Sequence, residues 1–265
     1  FTNSANNGYW LVTSVTATDL DVGVTADRAP VVEAAGASVT VAVQGKKLSI
    51  PLTIAGRTDD SFTIEQFYVT NNSVRLSTGV KFGSAEVSVA PNQMATCSFG
   101  LMGRTQEKQT GAYFTSPAAP AANGVLSGSK GMILINGVPS GVVTQYNFSI
   151  DGGMETSLVV GQRQAADISL GRISATGSMS VFFDGDAIYD AFKAENDIAL
   201  VFWLEGDADE SMVFKFPRVR LNGANIDDKE TGNLLQTVPF EALLEGTAQA
   251  DDDQSTIVIQ DTTVV

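Results

Sequence analysis

The chain has 265 residues, 43% of them hydrophobic and 17% charged, a balance that provides for a sizeable core and excludes both a disulfide-stapled miniature and a disordered chain. It contains no histidine and one cysteine, Cys97, which excludes Ser-His-Asp catalysis, histidine metal centres, an internal disulfide and Cys-rich zinc sites. The net charge of −14 argues against a phosphate-gripping surface, and it is unevenly spread: residues 1–183 hold 12 acids and 11 bases, residues 184–265 hold 18 and 5.

The chain opens at Phe1 without methionine or a signal-peptide pattern, and so reads as one whose true start is missing. Turn residues Asn6-Asn7-Gly8 lead into short β-rich runs at Tyr9–Val15, Asp19–Val24, Ser38–Val43 and Leu48–Ile54. From Ser61 the alternation strengthens. Phe62 and Ile64 alternate with Thr63 and Glu65, Val87 and Val89 flank Ser88, and Cys97, Phe99 and Leu101 alternate with Ser98 and Gly100, each placing one face on a core. On this pattern Cys97 is a core thiol. Residues Gly103–Gly131 break the rhythm with Gln, Lys, Ala, Pro and Ser, and a stretch that long without periodicity is either a mobile surface loop or a docking arm.

Met132–Ile135 then ends at Asn136-Gly137, and Thr144, Tyr146, Phe148 and Ile150 alternate with Gln145, Asn147 and Ser149 up to a hairpin-type turn at Asp151-Gly152-Gly153. A long glycine-punctuated strand is expected over Ile168–Phe183. One short helix follows, capped by Asp184 or Asp186, with Ala187, Ile188, Ala191 and Phe192 on one stripe. Ile198–Leu204 is a buried strand, far below the roughly 20 apolar residues needed to span a bilayer. Met212, Phe214 and Phe216 alternate to Pro217 before Val219 and Leu221, Val238–Leu244 form another strand, and Ile257–Ile259 is a β-prone run in the acidic tail.

Chemistry finds few footholds. The acids cluster in turns, at Glu205–Glu210 and Asp227–Glu230, where solvation is the ordinary explanation and a carboxylate-pair hydrolase has no framework. Asp207 and Asp209 mimic the first ligands of a calcium loop, but the central glycine and distal glutamate are missing. No phosphate-cradling glycine motif precedes a helix, and the basic residues do not interleave with aromatics in a base-stacking stripe.

The segments Ser61–Tyr68, Glu86–Asn92, Ser98–Gly103, Phe182–Phe192 and Val238–Ala242, taken in that order, resemble the tail tube proteins of long-tailed, non-contractile bacteriophages. The likeness spans residues 51–247. It implies a mainly β fold, an antiparallel β-sandwich or barrel with one short flanking α-helix, assembling into hexameric rings that share a continuous inner β-barrel. Residues 1–50 would then be the C-terminal part of a small N-terminal β domain, residues 51–247 the tube domain, and residues 248–265 an acidic tail or strand.

The resemblance further implies a structural virion protein without cofactor, assembled in the bacterial host cytoplasm. Its partners would be other copies of itself, the tail terminator, tape measure and tail-tip proteins, and phage DNA passing through unheld. Four strands from each of six subunits, about 4.8 Å apart and tilted about 40°, give a barrel of about 48 Å, or a bore of about 38 Å within the side chains. Duplex DNA fits. A wall without cationic contacts lets it slide, because each such contact releases counterions and adds affinity. Thr96, Ser98, Gln145, Asn147 and Ser149 are the expected lumen residues, with their apolar neighbours on the sandwich core. Arg104, Lys108, Tyr113, Phe114 and Lys130 mark the expected inter-subunit arm, and deletion of residues 106–128 should leave a folded monomer unable to stack. The competing reading is a monomeric β-sandwich decoration or adhesin module, which needs no such arm.

Overall fold

A computed structural model describes residues 4–7, 10–24, 29–33, 41–50, 59–119, 124–129, 131–140, 143–183, 185–206, 210–227, 233–245 and 254–263. Its strands are β1 (Val12–Val15), β2 (Leu20–Val22), β3 (Lys46–Ser49), β4 (Phe62–Tyr68), β5 (Ser73–Val89), β6 (Thr96–Met102), β7 (Thr105–Thr110), β8 (Gly131–Ile135) and β9 (Val138–Pro139). There follow β10 (Val143–Asp151), β11 (Glu155–Ser157), β12 (Asp167–Ser169) and β13 (Ser174–Phe182). After the helix α1 (Ala187–Lys193) come β14 (Ile198–Glu205), β15 (Ser211–Leu221), β16 (Asn225–Asp227), β17 (Leu235–Ala242) and β18 (Val258–Asp261). Among the described residues all pairings are antiparallel and α1 is the one α-helix, so the mainly β character with one short helix agrees with the sequence pattern.

One large sheet folds back on itself. Its first layer runs β6–β5–β10–β13–β17, and at the corner β17 also pairs with the end of β15, which starts a second layer through β14 and β8. Between the layers the apolar halves of the alternations meet. Phe148 of the first layer lies 5.0 Å from Phe214 and 5.1 Å from Phe216 of the second, and Tyr146 stacks on Phe202 at 4.1 Å. Each such buried side chain is worth about 1.5–3 kcal/mol. Burial also pushes the Tyr146 phenol above its usual range, and its hydroxyl has no hydrogen-bond partner among the described residues.

Two irregularities follow directly from composition. In β15 the buried set Phe214, Phe216, Val219, Leu221 skips one step at Pro217-Arg218, and the pairing with β14 slips there, a bulge that accommodates a residue lacking an N–H. At the β8–β9 turn Asn136 and Gly137 both take positive φ, 52° and 78°, the demand of a tight two-residue hairpin. On the outer face of the second layer Met132, Leu134 and Trp203 are buried with Leu11 packed against them, so the segment carrying β1 and β2 lies over this layer. From the two chain ends, β3 pairs with β18 and β18 with β15, which extends the large sheet.

Several expectations change. The run Ile168–Phe183 is not one strand: β12 ends at Ser169 and β13 starts at Ser174, because Gly171 passes so close to the backbone of Gly153 that a side chain has no room. The turn at Asp151–Gly153 does not fold β11 back onto β10; β11 pairs with β12 instead. Residues 105–110 are strand β7 rather than part of a loop, paired with Ser73–Thr78. Thr-Gln-Glu-Lys-Gln-Thr is polar on both faces, so it carries no hydrophobic alternation to reveal it. Val41–Val43 is not strand, while residues 38–40 and 51–54 lie outside the described residues. Asp186 precedes α1 without a side-chain cap, and Asp184 lies outside the described residues.

Candidate functional site

The first layer has one face on the core and one on solvent, and its register assigns every residue to a face. Directly opposed residues share a face in an antiparallel pair. Ser88 opposes Thr96 on one side and Asn147 on the other; Glu86 opposes Ser98 and Ser149; Asn147 and Ser149 oppose Ser178 and Thr176; these oppose Pro239 and Glu241. The structure therefore brings Thr96, Ser98, Gln145, Asn147 and Ser149 onto one polar face, where they form parts of cross-strand rows. Gln145 lies beside Ser180, its amide 3.4 Å from that hydroxyl. Asn147 accepts from the Ser178 amide at 3.2 Å and from its hydroxyl at 2.9 Å, pinning two strands together on the solvent side.

The face also carries residues that the sequence reading passed over: Glu86, Asp151, Thr176, Ser178, Ser180, Thr237 and Glu241. Their signal was present in Ser174-Ala175-Thr176-Gly177-Ser178-Met179-Ser180-Val181, a two-residue alternation of hydroxyl and apolar side chains. Glu86, Asp151 and Glu241 are acidic; the one basic residue on this face in β6, β5, β10, β13 and β17 is Lys81, opposite Met102, and it is buried, its ammonium paired with Asp59 and donating to the Ile168 carbonyl.

Beyond the corner, Arg220 opposes Glu241, and both Arg218 and Arg220 bind Asp197. Asp197 Oδ2 accepts from Arg218 Nε at 2.6 Å, and Oδ1 lies 3.0 Å from Arg220 Nη2. Desolvation raises the Asp197 carboxyl, but hydrogen bonds from Arg218 and Arg220 outweigh it and hold the group below the usual carboxylate range. A depressed acid stabilises the fold fully above its unfolded pKa, about 3.9, and loses that contribution as pH falls through the folded value. Asp197→Asn should therefore lower the melting temperature slightly at pH 7, with the gap to the unmodified protein closing below about pH 4. A gap that stays constant down to pH 2 in a thermal-melt series would contradict this.

The expected arm residues do not converge. Arg104 lies at the base of the segment: its Nε donates to the Ala165 carbonyl at 3.1 Å and its stem lies under Gly79. Lys108 is exposed on β7 opposite Arg75. Tyr113 and Phe114 pack edge to face at 5.0 Å, and both of their amides donate to the Glu65 carboxylate, at 3.0 and 2.9 Å. Lys130 lies outside the described residues, as do Asp207 and Asp209 of the calcium-like turn. At the far end Ser127 bridges Met94 and Leu126 packs against the main core. Deletion of residues 106–128 would thus remove a strand and a core residue, and is no clean test of an arm.

The core face of β6 departs from expectation. Cys97, Phe99 and Leu101 lie on the same side as the buried Val87, but all three are exposed, Phe99 to 59%. Cys97 is not a core thiol, although partial desolvation still raises its pKa. The second layer covers β10, β13 and β17 and stops short of β6, so the first layer overhangs its own core. Among the described residues no cluster of acids and cysteine could hold a metal ion, and no helix is long and apolar enough to cross a membrane.

Compared with known proteins, residues 5–242 match the family model described as phage tail tube protein. Matches among solved structures include the SPP1 tail tube, determined by solid-state NMR and cryo EM. That structure is 11% identical, with 60% of this chain and 72% of that chain covered, at a TM-score of 0.26. A superposition that loose carries no weight beside the family match. No curated protein matches.

Proposed function

This chain belongs to the phage tail tube protein family, and from that premise we propose that it builds the tube as closed rings of six copies, with the polar face of the first layer turned to the lumen. Its role is structural. The observation that carries the reading is the face itself: side chains from five adjacent strands form one hydroxyl- and amide-rich surface that holds three carboxylates, and its one lysine, Lys81, is buried and paired with Asp59. At a Debye length of about 8 Å, such a surface repels a duplex only on near contact, which keeps it centred without opposing its travel. No base-reading or cofactor-binding group is needed on this wall, and the subunit takes no catalytic part.

The margins of the layer bear on how rings close. At one margin, among the described residues, β6 pairs only with β5 and its outer edge has no partner. At the other, β17 is already paired with β16 at Leu235–Thr237 and with β15 at Phe240–Ala242. Neighbouring copies would therefore meet at this corner largely through side chains, with the wall continuous as a surface. Tail terminator, tape measure and tail-tip proteins would cap and fill the assembled tube within the virion, after assembly in the host cytoplasm.

The test is the native assembly state. Negative-stain micrographs of purified protein at high concentration should show stacked annuli with sixfold end views and an open central channel wide enough for a duplex. Sedimentation as a single subunit at every concentration would instead support the decoration or adhesin module.

A further inference from the structure

The overhang described above is a continuous apolar feature. Phe62 of β4, Phe82 of β5 and Phe99 of β6 form an edge-to-face row with centroids 5.3 and 5.7 Å apart, and Leu101 opposes Phe82; all four are about half exposed. With aromatic side chains of roughly 150–250 Å², the bare area is on the order of 400 Å², near the upper range of single patches on ordinary monomers. It borders an open strand edge, a second surface that calls for a partner. On the opposite face of β5 the chain covers itself: Lys81 donates to the Ile168 carbonyl at 2.7 Å and Met154 fills the space above Gly83, so the hairpin β11–β12 lies over that side.

The same hairpin ends in an exposed apolar run. Leu158, Val159 and Val160 at its tip are exposed, Val160 completely. Arg163 follows the tip and Asp60 precedes Phe62, and neither has an ion-pair partner among the described residues. We infer that the row Phe62–Phe82–Phe99–Leu101 is the seat for the Leu158–Val160 tip of a second copy, with Arg163 of that copy set against Asp60. Each ribbon would then hold its own hairpin on one face and a neighbour's on the other. Such a contact joins different patches on the two subunits, and heterologous contacts of this kind propagate into rings or filaments. The inference rests on the tube reading, and it accounts for why a strand with an apolar face is left outside its own core.

Cys97 shares the face of Phe99, so the protein carries its own reporter. In wild-type tubes a maleimide should modify Cys97 roughly tenfold or more slowly than in the dissociated subunit. In tubes of Val160→Cys, a short bis-maleimide should join Cys97 of one copy to position 160 of the next and give a covalent ladder from dimer upward. Neither wild type nor Val160→Cys/Cys97→Ser should show that ladder. Equal maleimide rates in tubes and subunits, or normal Val160→Cys tubes without a ladder, would overturn the contact and leave the tube reading standing. Failure of the wild-type chain to form any tube would instead remove the tube reading itself. If Val160→Cys does not assemble, the wild-type protection experiment decides alone.

Discussion

Glu86→Lys, Ser149→Lys and Thr176→Lys introduced together should yield tubes of normal appearance that retain DNA. The three positions lie in one cross-strand row on the polar face, and none of their side chains makes a hydrogen bond among the described residues, so the fold loses little. With Glu241 completing the row, its charge passes from −2 to +2. Because the change repeats in every subunit around every ring, a passing duplex would meet cationic contacts along the whole bore. Each contact displaces condensed counterions, and for six to ten phosphates the affinity changes by about 10³ to 10⁵ between 50 and 200 mM salt. Ejection should therefore fail or stall at low salt and recover as salt rises, while the unmodified tube should show little such dependence. Normal ejection at all salt concentrations would place this face on the outside of the tube.

Gly177→Val should abolish the fold rather than tune it. Gly177 lies in extended backbone in the middle of β13, on the core side, and opposes Phe148 and Phe240 on its two neighbouring strands. A Cβ there would meet the Asn147 carbonyl oxygen and Phe240 Cζ at 2.5 Å and Phe148 Cβ at 2.9 Å. Those rings lie in the aromatic cluster that joins the layers, with 1% of Phe148 and 1% of Phe240 exposed. Backbone on one side and buried rings on the other leave the added atoms nowhere to go. Overpacking of this sort costs about 1–3 kcal/mol for a methyl group in an accommodating core. The branched side chain in this one should exceed that and consume much of a stability of about 5–15 kcal/mol. Insoluble expression, or an unfolding free energy lowered by about 3 kcal/mol or more with Gly177→Ala intermediate, is the expected result. An unfolding free energy within about 1 kcal/mol of the parent for Gly177→Val would show that the two layers can part at this point.

Much of the fold was legible wherever one side of a strand meets the core and the other meets water. The alternations in Gln145–Ile150, in Met212–Phe216 and in Val238–Ala242 mark strands and assign faces. The signal fails where both faces are alike. Strand β7, polar throughout, reads as loop, and the glycines around Gly171 read as strand until the proximity of Gly153 is seen.

What the amino-acid sequence determined by itself is the polarity of the faces of the alternating strands, the exclusion of histidine-based catalysis, an internal disulfide and Cys-rich metal sites, and the tail tube family, because these depend on local alternation, composition and the order of segments. Tertiary structure alone decided which polar faces share a surface and how far the core extends. The acids Glu86, Asp151 and Glu241 come together on one wall through successive cross-strand pairings, which put Glu86 and Glu241, 155 positions apart, in one row through Ser149 and Thr176. Phe99 obeys the same alternation as Phe148, yet one is bare and the other sealed. The difference lies in where the second layer stops, a matter of how many strands each layer receives, and no local pattern within β6 encodes it.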